Sequence, residues 1–248
     1  MAQINTLNLA HRGFSSRYPE NTRAAFEAAV TVEGCDGFES DVNMTKDGKV
    51  VVIHDPVLDR TSNGCGMVRD HTYDELLPLD FGAWMSAEFA GQRIMLWSEL
   101  LDFTRETNKI LNIELKNYEV FYDGLEEAVI QEIQRQKMQD QVFLSSFNHI
   151  SMARCKQIDP AIRTGLLYGY PLDHTEQYVE RTRADAVHPR YTVLQYQPEL
   201  TAALRTMGRD VNTWTVNEDD DMRQMLAQGV SSIITNYPDR LAQVMGSL

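Results

Sequence analysis

The chain has 248 residues, and 23 basic against 36 acidic side chains give it a formal charge of −13. Its 43% hydrophobic and 24% charged content is that of an ordinary globular protein, and ~250 residues fit one α/β barrel as well as two smaller domains. The acidic balance argues against broad electrostatic binding to nucleic acid or anionic membranes, while a local cluster of cations or a bound metal still allows an anionic substrate.

Met1-Ala2-Gln3-Ile4-Asn5 has neither the basic region nor the apolar stretch of a leader peptide. A first strand is expected at Leu7–Ala10, ending in His11-Arg12-Gly13. A helix follows over Thr22–Val32, with Ala25, Phe26, Ala29 and Val30 at helical spacing and Asn21 placed to cap it. Strand Gly37–Val42 comes next, then Val50–Ile53 directly after Asp47-Gly48, a favoured two-residue hairpin turn. That aliphatic run is far short of the ~20 apolar residues of a membrane span. Thr61–Ile94 carries Gly64, Gly66, Gly82 and Gly91 in irregular patterning, and it reads as an excursion within an insertion over residues 55–96. From there helices Trp97–Thr107, Leu125–Met138, Ile150–Ile158, Glu176–Arg183, Glu199–Met207, Asp220–Gln228 and Asp239–Met245 alternate with strands. The strands are Ile110–Leu115, Val142–Ser146, Thr164–Tyr168, Ala186–His188, Val211–Val216 and Ser232–Asn236. Strict alternation points to a parallel sheet with helices outside, and eight units in ~250 residues favour a closed (β/α)₈ TIM barrel, one domain over residues 1–248.

Function-bearing loops of such barrels lie at the C-terminal ends of the strands. If Asp47 and Gly48 form the hairpin loop, Lys46 faces Lys49 and Asp41 faces His54. Glu39 shares the face of Asp41, since strand side chains repeat every two residues. Glu39, Asp41 and His54 then converge at the barrel mouth; a bulge is what would shift this register. The first strand ends in His11 and Arg12, and the third carries Glu114 and Lys116 on one face. Three carboxylates on neighbouring strands (Glu39, Asp41, Glu114) make a hard-oxygen site for one divalent ion, Mg²⁺ or Ca²⁺, and without a cation they repel one another. Arg12 and Lys116 suit a phosphate. His11 and His54 can exchange protons near neutral pH. The set describes metal-assisted phosphoryl chemistry.

The sequence resembles the glycerophosphodiester phosphodiesterase family. The resemblance is carried by His11-Arg12-Gly13, Pro19-Glu20-Asn21-Thr22, Ala25-Phe26, Glu39-Ser40-Asp41-Val42, Thr45-Lys46-Asp47-Gly48 and His54-Asp55 with Leu58, Arg60 and Thr61. It continues through Leu79-Asp80, Gly82, Trp84, Asn112-Ile113-Glu114-Leu115-Lys116, Ser146-Phe147, His188-Pro189, Trp214-Thr215-Val216-Asn217 and Ile234-Thr235-Asn236-Tyr237-Pro238. These run in order along almost the whole chain, so the combination is specific where any one tripeptide is weak. At Ile94-Met95-Leu96-Trp97 a proline is expected after the isoleucine and is missing. The resemblance implies a barrel that hydrolyses glycerophosphodiesters to sn-glycerol 3-phosphate and an alcohol such as choline or ethanolamine. It implies Glu39, Asp41 and Glu114 as metal ligands, His11 and His54 as the acid–base pair, and Arg12 and Lys116 on phosphate oxygens. It further implies that Glu20 and Asn21 brace the site, and that the excursion caps the mouth. The nucleophile is water or the neighbouring glycerol hydroxyl; His54 is assigned the leaving group and His11 the base.

Other signals have blander readings. Glu20 and Asn21 can be no more than a helix start. Trp214 and Phe147 are either barrel packing or a substrate-facing wall, and His188 either lines the pocket or simply ends a strand before proline. His71, His149 and His174 read as surface or capping residues. The Glu218-Asp219-Asp220-Asp221 run reads as a solvated helix N-terminus. Cys35, Cys65 and Cys155 are widely spaced, odd in number and without a CxxC pair, so neither a disulfide framework nor a zinc site is expected. The whole reads as a cytoplasmic monomer or homodimer without a membrane anchor, acting on a small glycerophosphodiester. The competing readings are a lysophospholipase D or related lipid phosphodiesterase, a sugar-phosphate isomerase on the same barrel, and a catalytically silent phosphate-sensing scaffold. The first needs an exposed apolar or basic surface.

Overall fold

Strand and helix alternate through a computed structural model that describes residues 6–247; the N-terminal five residues read for a leader lie outside it. The order is β1 Leu7–His11, α1 Arg23–Val30, β2 Gly37–Met44, β3 Val50–Val52, α2 Tyr73–Leu76, β4 Met95–Leu96, α3 Trp97–Thr107, β5 Ile110–Leu115, α4 Leu125–Gln136 and β6 Val142–Ser146. It continues with α5 His149–Ile158, β7 Arg163–Tyr168, α6 Thr175–Thr182, β8 Ala186–Pro189, α7 Tyr191–Tyr196, α8 Leu200–Thr206, β9 Asp210–Thr213, α9 Asp219–Gln228, β10 Ser232–Thr235 and α10 Pro238–Gly246. Strands β1, β2 and β5 to β10 pair in parallel, and β1 pairs with both β10 and β2, which closes the barrel. Strands β3 and β4 extend β2 as an antiparallel ribbon, and the excursion of residues 53–94 leaves and returns between them. The acidic run forms the first turn of α9, where the helix dipole favours it.

Strand alternation separates two kinds of interior. Outward residues such as Leu111, Ile113 and Leu115 of β5 are fully buried beneath the helices, as expected of a sheet covered on both faces. Inward residues include Leu9, Phe143 and Ile234, which form a separate apolar cluster joined by Leu7, Ile110 and Trp214. They come from different sides of the barrel, so they can meet only inside it. Toward the C-terminal end this plug gives way to Glu39, Asp41, Asn112, Glu114 and Ser145, all buried. Polar groups replace the usual bulky aliphatic layer there.

Two local expectations change. Val42 pairs with Val52 and Met44 with Val50, one residue out of the expected register. The loop has three residues, Lys46-Asp47-Gly48: Thr45 N donates to Lys49 O at 2.9 Å, Gly48 N donates to Thr45 O at 3.0 Å, and Gly48 has φ +75°. A type I turn closed by a left-handed glycine is the common three-residue solution. Asp41 therefore faces Ile53, whose N–H donates to its carbonyl at 3.1 Å. His54 reaches the mouth because β3 ends at Val52 and the chain turns inward, not by strand pairing. At α1 the cap is Thr22, whose hydroxyl accepts from Ala25 N. Asn21 instead takes φ +58° and points its amide into the barrel.

Candidate active site

The strand register sets the site. His11 lies beside Glu39, and Asp41 beside Glu114. Glu39, Asp41 and Glu114 each offer an oxygen within 4.8 Å of the others. All three are buried, and Glu39 Oε2 and Asp41 Oδ1 have no hydrogen-bond partner. Burial, together with the Asp41 charge, pushes the Glu39 carboxyl well above the usual carboxylate range. Burial also raises Glu114, against the pull of Lys116. Burial acts on Asp41 too, but Arg12 and Lys116 outweigh it and hold that carboxyl low. Buried acids with orphaned oxygens and two nearby cations leave negative charge uncompensated, and an oxygen-seeking divalent cation fits this donor set.

Arg12 leaves β1 in a left-handed turn, φ +57°. Its backbone is tied by its N–H to Glu39 O at 2.7 Å and by its carbonyl to Asn21 N at 3.0 Å. The turn sets the guanidinium 3.3 Å from Asp41 and lets Nη1 donate to Glu20 at 2.8 Å. Asn21 Nδ2 donates to Asp41 Oδ2 at 3.0 Å and its oxygen accepts from Ser40 at 2.7 Å. Lys116 Nζ donates to Glu114 at 2.9 Å and to the Tyr118 hydroxyl at 2.7 Å, and lies 3.7 Å from Asp41.

The two histidines have different partners. His11 Nδ1 lies 2.6 Å from Asn236 Oδ1, an oxygen that Ser15 also approaches as a donor. Nδ1 therefore carries the proton, and the Nε2 lone pair is left 3.7 Å from Glu39. Burial first, then Arg12, lower the His11 pKa to about 3, so the ring is neutral. His54 Nδ1 instead donates to Asp55 at 2.6 Å. Hydrogen bonds from Arg60 lower the Asp55 carboxyl to about 2 and keep it ionised.

His11, Arg12, Glu39, His54 and Glu114 line one cavity of about 90 Å³, with Asn112, Ser145, Phe147, Leu167, Trp214, Thr215 and Ile234. Phe147 meets Trp214 edge to face at 5.5 Å and Tyr118 at 5.2 Å. Lys116 sits behind this wall, bonded to Glu114. His188 lines no part of it: the ring is fully buried against Phe143, and its contribution is a carbonyl that accepts from Trp214 Nε1 at 2.7 Å. Burial lowers the His188 pKa to about 3. A larger cavity of about 390 Å³ lies at the opposite end, among residues such as Arg163, Asp185 and Asp210. There Asp185 is paired with Lys156, Asp210 accepts from Ser231, and Arg163 and Arg205 each donate to a backbone carbonyl.

Sequence reasoning assigned no role to Asn236, Asp55, Arg60 or Tyr118. Asp55, Arg60 and Asn236 stand within the quoted motifs, and Tyr118 lies two residues beyond Lys116. The residue after His54 was the accessible signal for Asp55; for Asn236 the motif was the signal, but not its partner, because it meets His11 from 225 positions away.

The fold and site define a TIM-barrel protein with a buried acidic centre for a divalent cation at the C-terminal face, flanked by two histidines and an arginine. The model of the glycerophosphoryl diester phosphodiesterase family matches residues 11–240. A glycerophosphodiester phosphodiesterase of Caldanaerobacter subterraneus is 40% identical over 242 residues, 98% of each chain. One from Bacillus altitudinis is 37% identical, over 95% of this chain and 96% of that one. The structure of an Oleispira antarctica phosphodiesterase in complex with its product sn-glycerol-3-phosphate superposes with a TM-score of 0.87 at 27% identity, covering 98% of this chain and 97% of that one. The chain belongs to the glycerophosphoryl diester phosphodiesterase family and is a hydrolase of that type. No helix among the described residues is long and apolar enough to cross a membrane.

Proposed function

We propose that the chain hydrolyses small glycerophosphodiesters, such as glycerophosphocholine or glycerophosphoethanolamine, to sn-glycerol 3-phosphate and the free alcohol. The observation that carries this is one small cavity walled by His11, Arg12, Glu39, His54 and Glu114. Glu39, Asp41 and Glu114 hold the metal, Mg²⁺ or Ca²⁺, which when bound supplies Lewis-acid neutralisation of the phosphate. Arg12 holds phosphate oxygens, with Glu20 and Asn21 fixing its loop. Lys116 adds positive charge behind Glu114. Phe147 and Trp214 form the apolar wall beside the substrate.

The histidine partners support a division of labour. His11 donates from Nδ1 to a neutral amide, so its Nε2 accepts the proton of the attacking hydroxyl, water or the neighbouring glycerol group, as the new P–O bond forms. His54 donates from Nδ1 to the Asp55 carboxylate, which holds the ring with Nε2 free for the substrate, and in the acid role a proton on Nε2 goes to the departing alkoxide as the old P–O bond breaks. If the glycerol hydroxyl attacks first, water opens the resulting cyclic phosphate with the two roles reversed.

The test is release of sn-glycerol 3-phosphate from glycerophosphocholine with Mg²⁺, with Ca²⁺, with EDTA, and in His11→Ala. Release should require metal and fall ~10²–10⁴-fold in the variant; no release with either metal, across several glycerophosphodiesters, overturns the reading. One observation favours a lipid substrate as the alternative. Among the described residues the large apolar side chains left exposed are Leu77, Trp84, Phe121, Ile150, Tyr170 and Tyr196, and these lie in the excursion or in segments that follow the C-terminal ends of β5 to β8. Turnover of a lysophospholipid faster than glycerophosphocholine would select that lysophospholipase D reading. A reducing, cytoplasmic setting suits the three free cysteines, and a monomer or homodimer is the assembly proposed.

A further inference from the structure

Arg60 is the centre of an ion-pair chain that runs between two active-site loops. Its Nε and Nη2 donate to the two oxygens of Asp55 at 2.7 and 3.0 Å. Its Nη1 and Nη2 donate to the two oxygens of Glu20 at 2.8 Å each. Asp55 in turn takes His54 Nδ1 at 2.6 Å, and Glu20 takes Arg12 Nη1 at 2.8 Å. His54 follows β3 and Arg12 follows β1, and both line the cavity, whereas Arg60 lies outside it in the excursion. One guanidinium thus grips, with two bidentate pairs, the carboxylates that aim both groups.

We propose that Arg60 is a positioning residue that sets His54 and Arg12 together, so that the leaving-group proton and the phosphate grip are aligned by one side chain of the excursion. This rests on the acid–base reading above. The geometry needs arginine: four carboxylate oxygens in two directions match a planar fork, and a lysine ammonium cannot hold both pairs. The rival explanation is a surface ion pair that merely stabilises the fold. Arg60 is 42% exposed, and pairs at such positions contribute little. The two accounts differ in what they do to individual steps. Loss of aim at His54 harms expulsion of a strongly basic alkoxide and spares an aryloxide that departs without a proton. Loss of aim at Arg12 raises KM for both.

The experiment compares glycerophosphocholine with glycerol 3-(p-nitrophenyl phosphate), using wild type, Arg60→Ala, Arg60→Lys and Asp55→Asn with saturating metal. Wild-type turnover of glycerophosphocholine checks the underlying reading on its own. Arg60→Ala should lower kcat for the choline ester ~10–100-fold, the scale of a misaligned catalytic group, and leave kcat for the nitrophenyl ester within a few-fold. KM should rise for both. Asp55→Asn should reproduce the kcat split without the rise in KM, Arg60→Lys should remain impaired, and added guanidinium should restore part of the Arg60→Ala loss. Equal losses on the two esters, or no loss on either, overturn the proposal. Should Arg60→Ala not fold, the Lys and Asn variants carry the same comparison.

Discussion

A ring nitrogen's partner decides what a histidine can do, and His188 shows this just outside the cavity lining. Asn212 Oδ1 accepts from Ser232 at 2.7 Å, so its Nδ2 faces His188 Nε2 at 2.9 Å. The ring accepts there and carries its proton on Nδ1, which is buried without a partner. It is a neutral group that cannot be charged cheaply. Its folded pKa, lowered by burial from 6.5 to about 3, makes the unfolded chain bind the extra proton between those values. Its contribution to stability is therefore complete above pH 6.5 and is lost progressively as the pH falls toward 3, at about 1.4 kcal/mol per pH unit. Urea unfolding of wild type and His188→Gln at pH 7.5, 6.5 and 5 should show wild type losing ~2 kcal/mol more than the variant between pH 6.5 and 5. Parallel curves would mean the ring titrates normally. The chemistry-bearing types were legible in sequence because His11 ends β1, His54 follows β3, and the three acids share the inward faces of β2 and β5. Tautomers and partners were not, since Asn236, just past β10, and Asn212, on β9, belong to other elements than the histidines they meet.

Elements were legible where they were long enough to show a period. The eight helices after the main strands did so; α2, with four residues, β4, with two, and α7, with six, fall below the window that periodicity needs. The hairpin register failed for a different reason. Asp47-Gly48 satisfies a two-residue turn in isolation, and the side chain of Thr45, accepting from Lys49 N at 2.9 Å, selects the three-residue form. Contacts between strands inside the barrel were equally hidden. On β7, a Cβ at Gly165 would lie 2.1 Å from Nε2 of His188 on β8. The absence of a side chain is what admits the imidazole. Gly165→Ala should destabilise by ~1–3 kcal/mol through overpacking, seen as a lower urea midpoint. His188→Ala should relieve most of that, so that the double variant is more stable than the sum of the single costs. Additive costs would show that the ring yields without strain.

At the scale of the whole barrel, the acidic centre ties the local chemistry to the stability of the fold. Glu39 and Asp41 sit on β2 and Glu114 on β5, the strand pair from which the β3–β4 ribbon and the excursion also spring. On the metal-binding role proposed above, three carboxylates held together by closure of the sheet give the native state a cation site that the unfolded chain, in which they are separated, lacks. A ligand selective for the native state stabilises it in proportion to ln(1 + [L]/Kd), ~2.7 kcal/mol at a hundredfold excess over Kd. For a chain of this size each kcal/mol moves the melting temperature by ~2–4 °C. Mg²⁺ or Ca²⁺ should therefore raise Tm by ~5–10 °C at that excess, and EDTA should reverse it. Glu39→Gln removes the acid whose ionisation is most opposed by burial and by Asp41. Its metal-free Tm at pH 7.5 should exceed that of metal-free wild type, while its response to the cation shrinks. Scanning calorimetry of the two proteins with and without metal reads both effects. A wild type indifferent to both cations, or a Glu39→Gln protein with an undiminished response, would remove the metal from this centre.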